Sequence, residues 1–270
     1  MTLGMLPAFL RRDLAIQLSY RADFYLQTIS VLLTLVLFFY VGELVDDGTV
    51  AADFDSGSDA GYFGFVVIGL ALLRILSTSL NSFAMRLRND QTSGTLEAML
   101  ASPVRASTAI LFSAVFDLLR ATFFGTVMIV SAILFFGLRL DTDPLGLLVA
   151  ALTLAGSLAV FAAVGMLLAA FTVVYKQSSA ALALASNGIG VLSGVYFPLS
   201  TFPEWLQSIA DLIPMTWAVD VTRSALLSGE IETGRFLLLI GSAVVLLPLG
   251  LLVIERAVAK ARRQGSLAQY

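Results

Sequence analysis

The side chains that perform most enzymatic chemistry are scarce in this sequence. Its 270 residues include no His and no Cys. That excludes imidazole acid/base catalysis, a thiolate nucleophile, imidazole or thiolate metal sites and disulfides. An intramembrane serine protease would need a His or Lys base beside its Ser, and an aspartyl dyad would need two buried carboxylates. Neither lysine lies deep in an apolar run, and of the carboxylates only Asp117 does. Lys176 and Lys260 follow Tyr175 and Ala259, so no G-x-x-x-x-G-K-[ST] phosphate loop is present. Six carboxylates and no base fall in residues 43–59. Asp46, Asp47, Asp53, Asp55 and Asp59 are hard oxygen donors of the kind that hold Ca²⁺, but their spacing fits no EF-hand loop, and a solvated acidic loop is the simpler reading. The remaining charges of interest are Arg74, Asp117 and Arg120, which interrupt apolar segments, and Glu97, which stands in a polar one.

The elements that carry these residues follow from composition. The chain is 58% hydrophobic and 13% charged, against about 25% charged in ordinary soluble domains, and its mean hydropathy is +0.91. Too little polar surface remains to cover a water-facing globule, so an all-α, polytopic integral membrane protein is expected. The net charge of −3 gives no basic field for nucleic acid. Crossing about 30 Å of hydrocarbon takes ~20 mainly apolar residues. Runs with few or no charges place six spans at residues 24–43, 60–85, 110–138, 144–172, 178–199 and 235–255, all within one transmembrane domain covering 1–270. The fourth run is too long for a perpendicular crossing and too short for two, and reads as one tilted span.

Six spans put both termini on one side. Arg11, Arg12, Arg21, Arg86, Arg88, Arg105, Lys176, Arg256, Lys260, Arg262 and Arg263 then share that side, while Arg139, Arg223 and Arg235 face the other. The positive-inside rule assigns the richer side, and both termini, to the cytoplasm. Before the first span, Leu6, Phe9, Leu10, Leu14 and Leu18 recur at helical spacing, with Arg11, Arg12 and Asp13 away from that stripe. Residues 1–22 are therefore expected to lie along the inner membrane surface as an amphipathic helix.

The largest inner loop runs over residues 86–105. Thr92 and Ser93 are N-cap candidates, Leu96, Met99 and Leu100 form a short stripe, and Pro103 stops the helix. A helix within 89–103 reads either as a docking element for a groove on a cytoplasmic partner or as a plain connector packed on the bundle.

Gly94-Thr95-Leu96-Glu97, followed by Leu100, Ser102, Pro103 and Val104, resembles the loop between spans two and three of ABC-2 type transporter permeases. A second block agrees in order: Ser193-Gly194-Val195-Tyr196-Phe197-Pro198-Leu199, Phe202-Pro203-Glu204-Trp205-Leu206, Ile213-Pro214-Met215-Thr216 and Arg223. The resemblance implies the membrane subunit of an ATP-driven exporter, working by alternating access. It would pair with a second copy of itself or a homologous permease, in the cytoplasmic membrane of a prokaryote. ATP and Mg would sit on a separate cytoplasmic ABC ATPase, this chain holding no cofactor. The 89–103 helix would be the coupling helix, with Thr95, Leu96, Glu97 and Met99, flanked by Arg86 and Arg88, meeting the ATPase. The surface helix would be the family's interface helix. Members of the family carry drugs, lipids or glycans. The rival reading is a stand-alone secondary transporter or channel, which would want coupling-ion groups at the midplane or inverted repeats; neither is visible here.

Three further expectations concern packing. Arg74 lies 12 residues before Arg86 and Asp117 lies 12 after Arg105, so a symmetric hairpin would put them at one depth and pair them; a substrate-binding charge is the alternative. Ser186, Gly190 and Gly194 line one face of span five at i, i+4, i+8, a close helix contact either at a dimer seam or within one subunit. Thr201-x-x-Glu204 reads as a capping box opening a short helix that ends near Pro214, and a second runs over residues 216–227. With interfacial Trp205 and Trp217 these make an outer re-entrant pair over 200–228, which by resemblance caps the exit. Thr34, Phe38 and Asn187 are the candidate pathway residues.

Overall fold

The computed structural model describes residues 6–19, 21–46, 61–92, 106–141, 143–175 and 179–263. Among these the regular secondary structure is helical throughout. The helices are α1 (Leu6–Ser19), α2 (Arg21–Asp46), α3 (Gly61–Thr92), α4 (Ala106–Phe136), α5 (Pro144–Tyr175), α6 (Ser179–Leu192), α7 (Glu204–Ala210), α8 (Pro214–Arg223) and α9 (Thr233–Arg263). A 3₁₀ turn at Leu199–Thr201 precedes α7, and a π-helical turn at Ser224–Ser228 extends α8.

Five of these helices carry an apolar stretch long enough to cross a membrane: Arg21–Val45, Gly61–Phe83, Ala114–Phe136, Pro144–Phe171 and Thr233–Ala257. The remaining expected span, 178–199, contains α6, which has 14 residues. At 1.5 Å per residue it reaches about 21 Å, short of the ~30 Å hydrocarbon thickness. It stops because Gly194 adopts φ +66°, a left-handed conformation open to glycine, and turns the chain. Bends over residues 195–197 and the extended Pro198 lead into the 3₁₀ turn.

α3 is the central helix and the most buried of the five, touching α2, α4, α5, α6 and α8. Its Leu72, Ile75, Leu76 and Leu80 meet Val160 and Phe161 of α5, Met215 and Val219 of α8, and Leu239 of α9 in one apolar core. The most extensive helix pair is α5 with α9. α2 is the least buried, exposing Leu26, Ile29, Leu33, Leu37 and Tyr40, as a helix facing lipid or a second subunit would.

Several sequence expectations need correction. Thr92 does not cap a new helix, because it is the last residue of α3. Nothing between Met85 and Thr92 breaks a helix, so span two simply continues through residues 89–92. Ser93, Thr95, Leu96, Glu97 and Met99 lie outside the described residues, as does most of the acidic loop. In α1, Leu14 is half exposed, and Asp13 is not turned outward but buried on the side toward the protein. Arg12 Nε donates to its carboxylate at 2.8 Å, and α1 packs against α4. The capping box does not form. Thr201 is spent in the 3₁₀ turn, its hydroxyl donating to the Pro198 carbonyl at 2.7 Å, and α7 starts from Pro203 with no side-chain cap. α8 begins at Pro214, whose fixed φ suits a first helical position.

Candidate functional site

Two regions concentrate polar side chains within this apolar bundle. The first is a cleft between α2, α3 and α4. Arg74 of α3 is half buried there, its guanidinium 5.2 Å from the centre of the Phe124 ring and its Nη2 3.4 Å from Gln27 Oε1. Arg120 of α4 donates to Asp23 Oδ2 at 3.0 Å and to Gln17 Oε1 at 2.8 Å. The Asp23 carboxylate also accepts from Gln27 at 2.9 Å and from Gln17 at 3.1 Å. Gln27 thus bridges the two arginines, its amide nitrogen serving Asp23 and its oxygen accepting from Arg74. A cavity of about 300 Å³ opens between Gln27, Arg74, Ser77, Arg120 and Phe124. A second, of about 230 Å³, shares Arg74 and Ser77 and continues toward Val31, Thr34, Leu73 and Met128.

Arg74 and Asp117 do not pair in this structure, and the reason is register. Gly125 of α4 lies against Ala71 and Ile75 of α3, so Arg74 stands level with residues near Phe124. Asp117 is seven residues away, about 10 Å along the helix. The count from Arg86 and Arg105 assumed a hairpin symmetric about its loop, and α3 and α4 are offset.

The second region is the outer cap, made by the turn after α6, then α7, α8 and the π turn. Its centre is Arg223, which is 6% exposed. Nε donates to the Phe65 carbonyl at 2.9 Å, Nη1 to Gly194 O at 2.9 Å and Nη2 to Val195 O at 3.0 Å. The guanidinium also stacks on Phe65, 3.4 Å from the ring centroid. One side chain therefore ties α8 to α3 and to the end of α6. Burial lowers its pKa to about 9 while Asp220 pulls the other way, so the group remains charged at neutral pH. Asp220 pairs with Arg235, which also reaches Glu232 at 3.5 Å and Asp211 at 3.6 Å. Burial pushes the Asp220 carboxyl up to about 6, against the pull of Arg235 and Arg223. Trp217 closes the α7–α8 corner by donating to Asp211 O at 2.8 Å.

A family model for ABC-2 type transporters matches residues 8–227. The match runs from α1 through the outer cap, about four-fifths of the chain. The chain belongs to the ABC-2 type transporter family. No curated protein matches it. With its five long apolar helices, this ABC-2 chain is a multi-pass membrane protein and a transport component.

Ser186 Oγ lies 2.7 Å from Ser77 Oγ of α3. A Cβ on Gly190 would come within 2.7 Å of Leu73 Cδ1. These two small residues of α6 face α3 of the same chain, while Gly194 is the turn residue described above. Thr34 borders the smaller cavity and donates to Ser30 O at 2.8 Å. Phe38 stacks with Tyr196 at 6.3 Å between ring centroids, linking α2 to the turn after α6. Asn187 is exposed on α6, next to Ser186. Arg86 and Arg88 belong to the last turns of α3.

Sequence reading missed the role of Arg223, counting it as an outer-side base. A signal was present: Arg223 follows Val219 by four residues and precedes Leu226 and Leu227 by three and four, which sets it beside apolar positions of one helix. An arginine there must find acceptors inside. The Gln17–Asp23–Gln27 network was also missed, and no spacing rule links residues on α1, α2 and α4 in advance.

Proposed function

We propose that this chain is the permease subunit of an ATP-driven ABC-2 exporter, which moves a drug, lipid or glycan-like substrate outward across a cytoplasmic membrane. The observation that carries the reading is the family match over 8–227 on a chain with five long apolar helices. In this reading α6 and its flanks complete a sixth crossing, both termini are cytoplasmic, and the α7–α8 pair is re-entrant from the outside. Two such subunits, identical or homologous, pair in the bilayer. Because neither lysine stands in a phosphate loop, ATP and Mg belong to a partner ATPase. The 89–103 segment, which carries Glu97, would act as the coupling helix and move the spans when the ATPase pair closes.

The test has two arms. The natural chain is free of cysteine, so single cysteines report topology directly. Ser266→Cys should be labelled by an impermeant maleimide only from the cytoplasmic face, and Ser56→Cys only from the outer face. The tagged chain should copurify with an ABC ATPase, and Glu97→Arg should abolish that association or its substrate-stimulated hydrolysis. Labelling of both cysteines from one face, or an unchanged complex in Glu97→Arg, would overturn the reading.

A further inference from the structure

The two joined cavities beside Arg74 have a composition that the transport reading does not use. The larger is walled by two guanidiniums and by the Gln27 amide. Among the described residues, Asp23 is the one carboxylate in ion-pair contact with either arginine, and it is held by Arg120 at 3.0 Å. Arg74 has only a long contact to Gln27 Oε1 and the face of Phe124. A guanidinium carries five donors and matches two oxygens of one anion, so most of the donor capacity of Arg74 remains unspent. The smaller cavity is apolar apart from Thr34, Arg74 and Ser77, its other walls being Val31, Leu70, Leu73 and Met128.

Depth adds a second constraint. Arg74 lies nine residues inside the apolar stretch that ends at Phe83, and Arg120 six residues inside the one that starts at Ala114. At 1.5 Å per residue both stand roughly 9–14 Å within the hydrocarbon, nearer the end of the bundle that carries α1. A charge at that depth is expensive without a counter-charge. Basic pockets between membrane helices are where acidic lipid headgroups bind.

We propose that the α2–α3–α4 cleft binds a phosphate-bearing amphiphile. Its anionic head is held by Arg74 and Arg120, with the Gln27 amide nitrogen as an additional donor, and the first part of its chain lies along Val31, Leu70, Leu73 and Met128. Thr34 marks the wall between the cleft and the outward half of α2. The side of the membrane depends on the orientation proposed above, but the ligand chemistry and its test do not, and no ATPase partner is required.

The experiment uses the full chain in bilayer discs of phosphatidylcholine doped with phosphatidylglycerol, with retained lipid identified by native mass spectrometry. The wild-type chain should retain phosphatidylglycerol over phosphatidylcholine by about tenfold. Arg74→Gln should remove that preference while keeping a monodisperse, normally melting protein. Equal retention of the two lipids by the wild-type chain, or an undiminished preference in Arg74→Gln, overturns the proposal. Should Arg74→Gln fail to fold, Thr34→Phe decides, because it fills the apolar arm without touching the charge: loss of the retained lipid supports the site and unchanged retention overturns it. A separate arm adds inorganic phosphate at millimolar concentration. No displacement of lipid is expected, whereas full displacement would mean a site for a free anion and would overturn the amphiphile.

Discussion

Arg223 and Arg74 are both arginines set among apolar helices, and the structure treats them oppositely. Arg223 is enclosed, flat against Phe65, with Nε, Nη1 and Nη2 each on a backbone carbonyl. Arg74 is half exposed to a cavity and has one long hydrogen bond. The first spends its donors on the fold and leaves none for a ligand. The second keeps its donors available. The same side chain is thus a fastener in the outer cap and a receptor in the cleft. What separates them is the supply of free carbonyls. Gly194, with its left-handed φ, ends α6 and frees carbonyls in the turn. The stretch of α3 around Arg74 is uninterrupted helix, whose carbonyls are committed to their own ladder.

Arg223 is the costlier of the two arginines to replace. Arg223→Leu leaves the buried Gly194 and Val195 carbonyls of the turn without donors, while the Phe65 carbonyl keeps its place in the α3 ladder, and should cost on the order of 3–5 kcal/mol, read as a large loss of folded yield and unfolding midpoint in detergent. Arg223→Lys should recover only part, since an ammonium keeps the charge but not the planar fork. Gly69→Ala attacks the same clamp from α3. Its Cβ would lie 2.8 Å from Arg223 Nη2, 2.9 Å from Val195 O and 3.1 Å from Val195 Cα. Because backbone must shift, a loss of about 1–3 kcal/mol is expected in the same unfolding assay. Gly190→Ala meets only the flexible end of Leu73 and should cost about 1 kcal/mol or less, so Gly69→Ala should be clearly the worse of the two. Arg235→Ala removes a partly exposed cation facing three carboxylates and should shift stability by no more than about 1 kcal/mol. Arg74→Gln should leave the unfolding midpoint nearly unchanged. A loss there as large as that of Arg223→Leu would erase the distinction between fastener and receptor.

The outer cap shows how far residue spacing carries. The turn at Gly194 and the prolines at 203 and 214 mark the segment boundaries: α7 falls between the two prolines and α8 starts at the second. The cap at Thr201 was misplaced because a 3₁₀ turn competes for that hydroxyl. The contact of Ser186 and Gly190 was legible as a close approach, but its partner was not: small residues say that something comes near, and only the structure supplies α3. The hairpin of spans two and three was legible as well, but its register was not. Close packing along α3 and α4, such as Gly125 against Ala71, sets that offset.

By itself the sequence determined the solvent of this protein and the classes of chemistry open to it. A 58% hydrophobic chain with 13% charged residues, no His and no Cys can fold in a bilayer and can perform little covalent catalysis. The apolar lengths also fixed where the long helices lie, because backbone polar groups in hydrocarbon must be satisfied within a helix. Only the tertiary structure decided which of the buried charges serve the fold. That depends on which carbonyls, rings and amides arrive from other helices, as Phe65 does at Arg223 and Gln27 at Arg74. Such arrivals are set by helix register and by the turns between helices, neither of which periodicity encodes.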